Sequence, residues 1–319
     1  MAVEHKLQRI SDIADLRISE DEVAEVQEEI DLIFEPNTDP LDISKELRVR
    51  AEEELRETSE KMRENLITLR QMVLAEKNLH ARTDDIFLEP TTFLSVIGVI
   101  CYSNRLRLKN YYQFKASYPH FYTYTTPSEN SYLYDMAHFS SLPGVDRKGR
   151  RMCALFAARM DLDKSPLDET FQLGTTVFEI MLQDPHLQIT GTVAILDLKD
   201  LTLYQQARLA TPTCAWHLAN IVQDKIPLRL KAVHVVNQPF YFNAIYAVFK
   251  PFLKKKLRKR IFLHGTDFDS LHKHVDPEGL PAEWNGKRGP FTNRATRAII
   301  KMNEHKFKEW KQFTYREEN

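Results

Sequence analysis

Glycine is scarce in this sequence, with nine residues in 319. None of them builds a G-x-G-x-x-G or G-x-x-x-x-G-K-[ST] pattern, so the backbone cradles that hold nucleotide phosphates are excluded. "AILDL" (194–198) ends as a Walker B strand does, but without a phosphate loop Asp197 reads as a strand-terminal turn residue. No G-x-S-x-G nucleophile elbow is present either. Cysteine is rarer still: Cys101, Cys153 and Cys214 are odd in number, widely spaced and set among apolar residues. That pattern suits reduced, buried thiols rather than a disulfide framework or a zinc site. His272 and His274 have no third ligand at a metal-binding spacing. Cys214 and His217 lie one helical turn apart, but beside Ala215 and Trp216 they read as packed side chains rather than a thiolate pair. No catalytic residue, metal or cofactor is expected, and the chain is not read as an enzyme.

Long hydrophobic runs are also missing. "MAVEHKLQRI" at the N-terminus has no apolar core of a secretory signal. The longest apolar stretch, "TTFLSVIGVICY" (91–102), is too short to span a bilayer and carries polar residues. A cytoplasmic protein is expected, with any membrane contact peripheral. Net charge is nearly absent too, at −1, but its distribution is lopsided. Residues 1–60 hold 19 acidic and 7 basic residues, whereas residues 250–319 hold 17 basic and 9 acidic ones. The two ends therefore face different partners, or each other.

What is there is a patterned globular chain, 43% apolar and 28% charged. "DPLDISKELRVRAEEELRETSEKMRENLITLRQMVLAEK" (39–77) predicts one long helix, with Asp39 as cap and Pro40 in the first turn. Leu47, Ala51, Leu55, Met62, Leu66, Leu69 and Val73 form one apolar seam on it. That seam packs on its own domain or recruits a partner helix. From residue 150, strands and helices alternate. Strands are expected at 151–160, 192–198, 231–236 and 260–264. Helices are expected from Ser165-Pro166 to Gln183, from Thr211-Pro212 to Asp224, and from Pro239 onward. Such alternation predicts a mainly parallel sheet with helical crossovers. The tail, 291–319, is read as a basic helix with Ile299, Ile300, Phe307, Trp310 and Phe313 as its packing face.

The densest feature is "QPFYFNAIYAVFKPFLKKKLRKRIFLHG" (238–265). Its first half is apolar nearly all round, as in a helix that is buried on both sides, lines a cavity or meets lipid. Its second half sets seven Lys or Arg into the eleven positions 250–260 with no acid among them. Alone, the run fits a nuclear address, a nucleic-acid contact or a dock for anionic lipid. The aromatic helix leading into it favours lipid, because apolar residues flanked by cations make an interfacial helix. No nucleic-acid reader motif accompanies it, so no nucleic acid is expected as partner.

The stretch "IPLRLKAVHVVNQPFYFNAIYAVFKPFLKKKLRKRIFLHG" (226–265) closely resembles the CRAL-TRIO lipid-binding family, in the branch of the α-tocopherol transfer and cellular retinaldehyde-binding proteins. "LPGVDRKGRRMCALF" (142–156), "AILDLKDL" (194–201), the Thr211-Pro212 helix and "LPAEWNG" (280–286) agree. "RTDD" (82–85) and "LKNYYQF" (108–114) resemble the family's N-terminal helices. Between these two, where the family carries an arginine-rich helix of the form L-L-R-F-L-R-A-R-K-F, "IFLEPTTFLSVIGVICYSN" (86–104) departs from it and has no basic residue.

The resemblance implies an α/β fold: an N-terminal helical region, then a CRAL-TRIO domain whose mainly parallel sheet is flanked by helices around a hydrophobic pocket. It divides the chain into an acidic extension (1–40), a helical region (41–130), the lipid-binding domain (131–290) and the C-terminal basic helix (291–319). It implies a pocket lined by Phe171, Phe178, Leu196, Ile221, Val222, Ile226 and Val233. A mobile gate of residues 239–253 would turn Phe240, Ile245 and Phe249 inward. Gly174 and Phe178 stand where a hydroxyl would anchor a chromanol. The family's phosphoinositide-binding basic positions carry over to Arg229, Lys231, Lys256 and Arg260. The implied partners are a hydrophobic small molecule and a phosphoinositide membrane surface. The alternative is a non-transferring module that recruits partners through its long N-terminal helix.

Overall fold

The computed structural model describes residues 20–34, 43–55, 58–85, 87–88, 100–122 and 124–316. Helices α1 (Glu20–Ile33), α2 (Lys45–Leu55), α3 (Ser59–Leu74) and α4 (Ile100–Ser117) build the N-terminal part, with a two-residue strand β1 (Leu79–His80) between α3 and α4. The single helix expected over 39–77 is two helices. Thr58 stands in an extended conformation (φ −95°, ψ 159°), and its hydroxyl accepts from the Lys61 amide, so it caps α3 and stops α2 from continuing. Ala51, Met62, Leu66, Leu69 and Val73 of the seam are buried. Asp39, Pro40 and most of the divergent segment 86–104 lie outside the described residues.

After α5 (Ser131–Asp135), the chain enters a five-stranded sheet in the order β2–β3–β4–β5–β6. Its strands are Phe139–Val145, Arg151–Phe156, Thr192–Asp197, Leu230–Val236 and Ile261–Gly265. β2 runs antiparallel to β3, and the remaining pairs are parallel. The sheet is thus mainly parallel and flanked by helices. β2 is an addition to the sequence reading. "FSSLPGV" carries Pro143 and Gly144, both unfavourable in a strand interior. They are accommodated because β2 is an edge strand with a register shift between Leu142 and Val145.

The crossovers are α6 (Leu167–Met181) with α7 (Pro185–Thr190), then α8 (Leu203–Leu209) with α9 (Pro212–Asn220), then α10 (Phe242–Phe249) with α11 (Lys255–Arg258). The expected start at Thr211-Pro212 is observed, whereas α6 begins after Pro166 without a side-chain cap. Thr211 accepts from the Cys214 amide at 3.2 Å and starts α9 with Pro212 in the first turn. α9 continues as one π-helical segment, Ile221–Lys225. Beyond β6 come α12 (Phe268–His272), α13 (Arg294–Met302), α14 (Glu304–Trp310) and β7 (Thr314–Tyr315), which pairs with β1. The tail is therefore two helices joined at Asn303, with Ile299, Ile300, Phe307 and Trp310 buried.

Period-two alternation gives the sheet two apolar faces. Met152, Ala154, Phe156, Ile195 and Val236 point to one side and pack with Leu271, Leu280, Trp284 and Phe291. Trp284 is fully buried, stacks on Phe156 with ring centroids 5.2 Å apart, and donates its indole N–H to Asp197 at 2.8 Å. Asp197 also accepts from the Asn237 side chain at 2.9 Å and the Lys199 amide at 2.8 Å. The carboxylate that resembles a Walker B end thus ties the strand ends together.

The N-terminal helices hold α6 from its outer side. Glu179 accepts from the Tyr111 hydroxyl and lies 3.5 Å from the Lys115 ammonium, all within the core. Burial raises the Glu179 carboxyl and lowers the Lys115 ammonium relative to their ordinary ranges. Trp284→Ala is expected to cost about 3–5 kcal/mol by urea denaturation, since it opens a cavity and strands Asp197. A loss below about 1 kcal/mol would contradict this packing role.

Candidate functional site

The second face of the sheet carries two rows of side chains set by register. Cys153, Ala194, Val233 and Ile261 pair across four strands, and Phe139, Leu155 and Leu196 form the next row. Opposite stands α6, whose Phe171, Gly174, Thr175 and Phe178 recur at helical spacing and make one stripe. Cys214, Leu218, Ile221 and Val222 come from α9 and its π segment. Phe242, Ile245, Tyr246 and Phe249 come from α10. Together they line a partly open cavity of about 310 Å3.

Three polar residues of this wall, Thr175, Thr192 and Gln206, direct their donors into the protein. The Thr175 hydroxyl donates to the Phe121 carbonyl at 2.7 Å and the Thr192 hydroxyl to the Arg151 carbonyl at 3.1 Å. The Gln206 amide donates to the Leu201 carbonyl at 3.0 Å and to the Tyr241 hydroxyl at 2.7 Å. Burial pushes the Cys153 thiol up to about 12 and the Cys214 thiol to about 11, so both are protonated packing groups at neutral pH. The wall offers apolar contact and shape rather than reacting groups. Among the described residues no cluster of histidines, cysteines and carboxylates is arranged to hold a metal. His272 instead bonds the Trp284 carbonyl, and His217 sits among the rings of Tyr118, Phe121 and Trp216.

Six of the pocket residues expected from the sequence (Phe171, Phe178, Leu196, Ile221, Val222 and Val233) stand in this wall. Ile226 does not. The π segment adds a residue to the turn, and Ile226, already extended (φ −102°, ψ 137°), packs instead into the core shared with the N-terminal helices. Of the gate residues, Ile245 and Phe249 face the cavity, whereas Phe240 is 96% exposed. The reason is local: Phe240 precedes the helix, in the turn before Tyr241, so the inward stripe of α10 begins only at Phe242.

The four basic positions divide as well. Arg229 and Arg260 sit at the entries to β5 and β6, which are neighbours. Arg229 donates to the Gln188 and Ile189 carbonyls at the end of α7, and Arg260 to the Leu230 carbonyl. Lys231 follows on the same side of β5, its ammonium 3.3 Å from Glu54 Oε2, and Arg229 Nη2 lies 3.6 Å from the same oxygen. Lys256 is exposed on α11, and no described contact joins it to this group. Burial and then the Arg229 charge press the Lys231 ammonium below the ordinary lysine range, against the pull of Glu54. Sequence reasoning missed Glu54 and its partner Arg50, because α2 lies 177 residues from Lys231 and nothing local marks the contact.

The CRAL/TRIO domain model matches residues 135–286 of the chain. Clavesin-2 of Homo sapiens is 33% identical over 256 residues, which cover 78% of this chain and 76% of that protein. Alpha-tocopherol transfer protein-like of Homo sapiens is 32% identical over 267 residues, covering 83% of this chain and 77% of that protein. Among solved structures, that of Sfh5 aligns with 84% of this chain and 99% of that chain at a TM-score of 0.49 and 14% identity.

Two glycines of this region respond oppositely to a methyl group. A Cβ at Gly174 meets nothing within 4 Å, so Gly174→Ala is expected to stabilise the helix by about 0.5–1 kcal/mol. Gly191 caps α7 at φ +82°, and a Cβ there would lie 2.6 Å from the Arg229 carbonyl oxygen and 2.7 Å from Lys231 Cγ. Gly191→Ala is expected to destabilise by more than about 1 kcal/mol. Chemical denaturation of the two variants checks this, and shifts of the same sign would contradict it.

Proposed function

We propose that this chain, which belongs to the CRAL/TRIO family, carries one hydrophobic small molecule in its cavity and exchanges it at phosphoinositide-containing membranes. The observation that carries the reading is the cavity, about 310 Å3 in volume and walled mainly by apolar side chains, with the donors of Thr175, Thr192 and Gln206 committed to protein acceptors. The family is one of lipid-binding and lipid-transfer proteins, and a relative named for tocopherol transfer supports a tocopherol-, retinoid- or similar lipid-like cargo. On this reading Phe171, Phe178, Leu196, Ile221, Val222 and Val233 pack the cargo. Burying on the order of 300 Å2 of its apolar surface contributes about 7 kcal/mol. The protein acts as a carrier and not as an enzyme, with residues 131–290 as the lipid-binding domain and 41–130 as its helical support.

The gate in this account is α10, with Ile245 and Phe249 on the cargo side. It returns from the C-terminal end of β5 to the N-terminal end of β6, so its far end leads into the basic run. Phe240 at its near end is a membrane-inserting side chain rather than a cargo contact. Arg229, Lys231, Lys256 and Arg260 supply the attraction to phosphoinositide, each cation near an anionic surface contributing about 1 kcal/mol. The protein is cytoplasmic and its membrane association transient. Among the described residues no helix is long and apolar enough to cross a membrane. The partner-recruiting alternative finds little support, because most of the apolar seam it relies on is buried.

Transfer of a fluorescent tocopherol or retinoid between vesicles tests this. Phosphoinositide in the acceptor vesicles is expected to speed transfer, and added salt to weaken that gain. Lys256→Ala combined with Arg260→Ala is expected to return the rate to its phosphoinositide-free value. Transfer indifferent to both phosphoinositide and the double substitution would overturn the mechanism.

A further inference from the structure

We infer that the Glu54 carboxylate is an internal stand-in for a phosphate monoester at the Arg229–Lys231–Arg260 cluster. A headgroup phosphate displaces it and recruits Arg50 of α2 as an additional phosphate ligand. The inference rests on the reading of this cluster as the phosphoinositide contact.

Among the described residues the cluster holds more positive than negative charge. Glu54 Oε2 faces Lys231 at 3.3 Å and Arg229 at 3.6 Å, while Oε1 accepts from Arg50 Nε at 2.7 Å. Arg260 adds its charge to the fields of both Arg229 and Lys231. Three cations thus pair with one carboxylate, with Arg260 close by, and among the described residues no other acid lies within ion-pair distance of Arg229 or Lys231.

The cluster is also built to persist when Glu54 leaves. Arg229 is tied to the carbonyls that end α7, and Arg260 to the Leu230 carbonyl. Gly191 lacks the Cβ that would force the Arg229 backbone and the Lys231 side chain apart. Arg50 is steadied independently by the Gly149 carbonyl, 3.5 Å from its Nη1. Arg229 and Arg50 therefore keep anchors of their own beside the Glu54 position.

Glu54 is the replaceable member. Its side chain is 34% exposed, so water and ligand reach it. It sits in the last turn of α2, which contains no basic residue, and a carboxylate there opposes the negative end of the helix dipole. A phosphate monoester brings about −1.5 to −2 charges and three acceptor oxygens against the single charge of the carboxylate. It suits the three donors of Arg50, Arg229 and Lys231, with the charge of Arg260 nearby, better than Glu54 does.

Binding of the full chain to sedimented vesicles tests the inference, with native protein, Glu54→Gln, Glu54→Asp, and Arg229→Ala combined with Lys231→Ala. The vesicles contain phosphatidylinositol bisphosphate or phosphatidylserine at matched charge, and soluble inositol trisphosphate serves as competitor. Removing the internal anion is expected to tighten phosphoinositide binding about fivefold, the worth of one charge near such a surface. Phosphatidylserine binding should change less, Glu54→Asp should stay near native, and the double substitution should bind weakly. Competition by inositol trisphosphate at low concentration assigns the site to the phosphate group itself, and failure of that competition in the Glu54→Gln protein overturns the inference. If Glu54→Gln binds no tighter while the double substitution still weakens binding, the stand-in role is wrong and the phosphoinositide reading stands. If native protein and Glu54→Gln both ignore phosphoinositide relative to phosphatidylserine, the underlying reading falls and the inference with it.

Discussion

The structure depends on holding α6 away from the sheet. Hydrogen bonds fix the strands on one side. On the other side, α6 is bound to α4 and to the segment that follows it: Glu179 to Tyr111, Thr175 to the Phe121 carbonyl, and Gln172 to Thr125. Anchored from outside, α6 cannot settle onto the two apolar rows of the sheet, and the protein's own side chains do not fill the space between them. Gly174 widens that space at the middle of the stripe. Apolar walls kept apart in this way lose the dispersion contacts that a close-packed interior would have. A hydrophobic molecule that fits restores those contacts and stabilises the folded chain by mass action.

The same layout separates two kinds of surface along α10. The parallel connection from β5 to β6 obliges the chain to travel back along the sheet. Its start, marked by the exposed Phe240, lies at the C-terminal end of β5. Its finish delivers Lys254, Lys255 and Lys256 toward the end where Arg229, Lys231 and Arg260 enter their strands. One element thus touches the cavity along its length, presents an aromatic ring at one end and leads into cations at the other. The cations at one end and the cavity along the side are mechanically joined, because both adjoin the same eight-residue helix.

Much of this was legible in the chain. The apolar runs of β3 to β6 stand between helix starts marked by Pro166, Pro212 and Pro239, so the parallel sheet follows from pattern alone. Phe178, Leu196 and Val233 were placed through the family likeness. The edge strand β2 was hidden by its proline and glycine, which an interior strand would reject. The break at Thr58 was hidden because the helix formers on both sides dominate any window that contains it. Phe240 went astray because one turn of backbone decides whether an aromatic before a helix faces in or out. Glu54 and Arg50 left no local signal, since their importance arises only when α2 is folded against β5.

The central claim, that the cavity houses one hydrophobic molecule, is tested most directly by native mass spectrometry of the full chain after exposure to a lipid extract. The account predicts a single bound apolar molecule per chain, lost when Gly174→Trp fills the cavity of a still-folded protein. A chain that takes up nothing, or a Gly174→Trp protein that takes up as much as the native one, would contradict it.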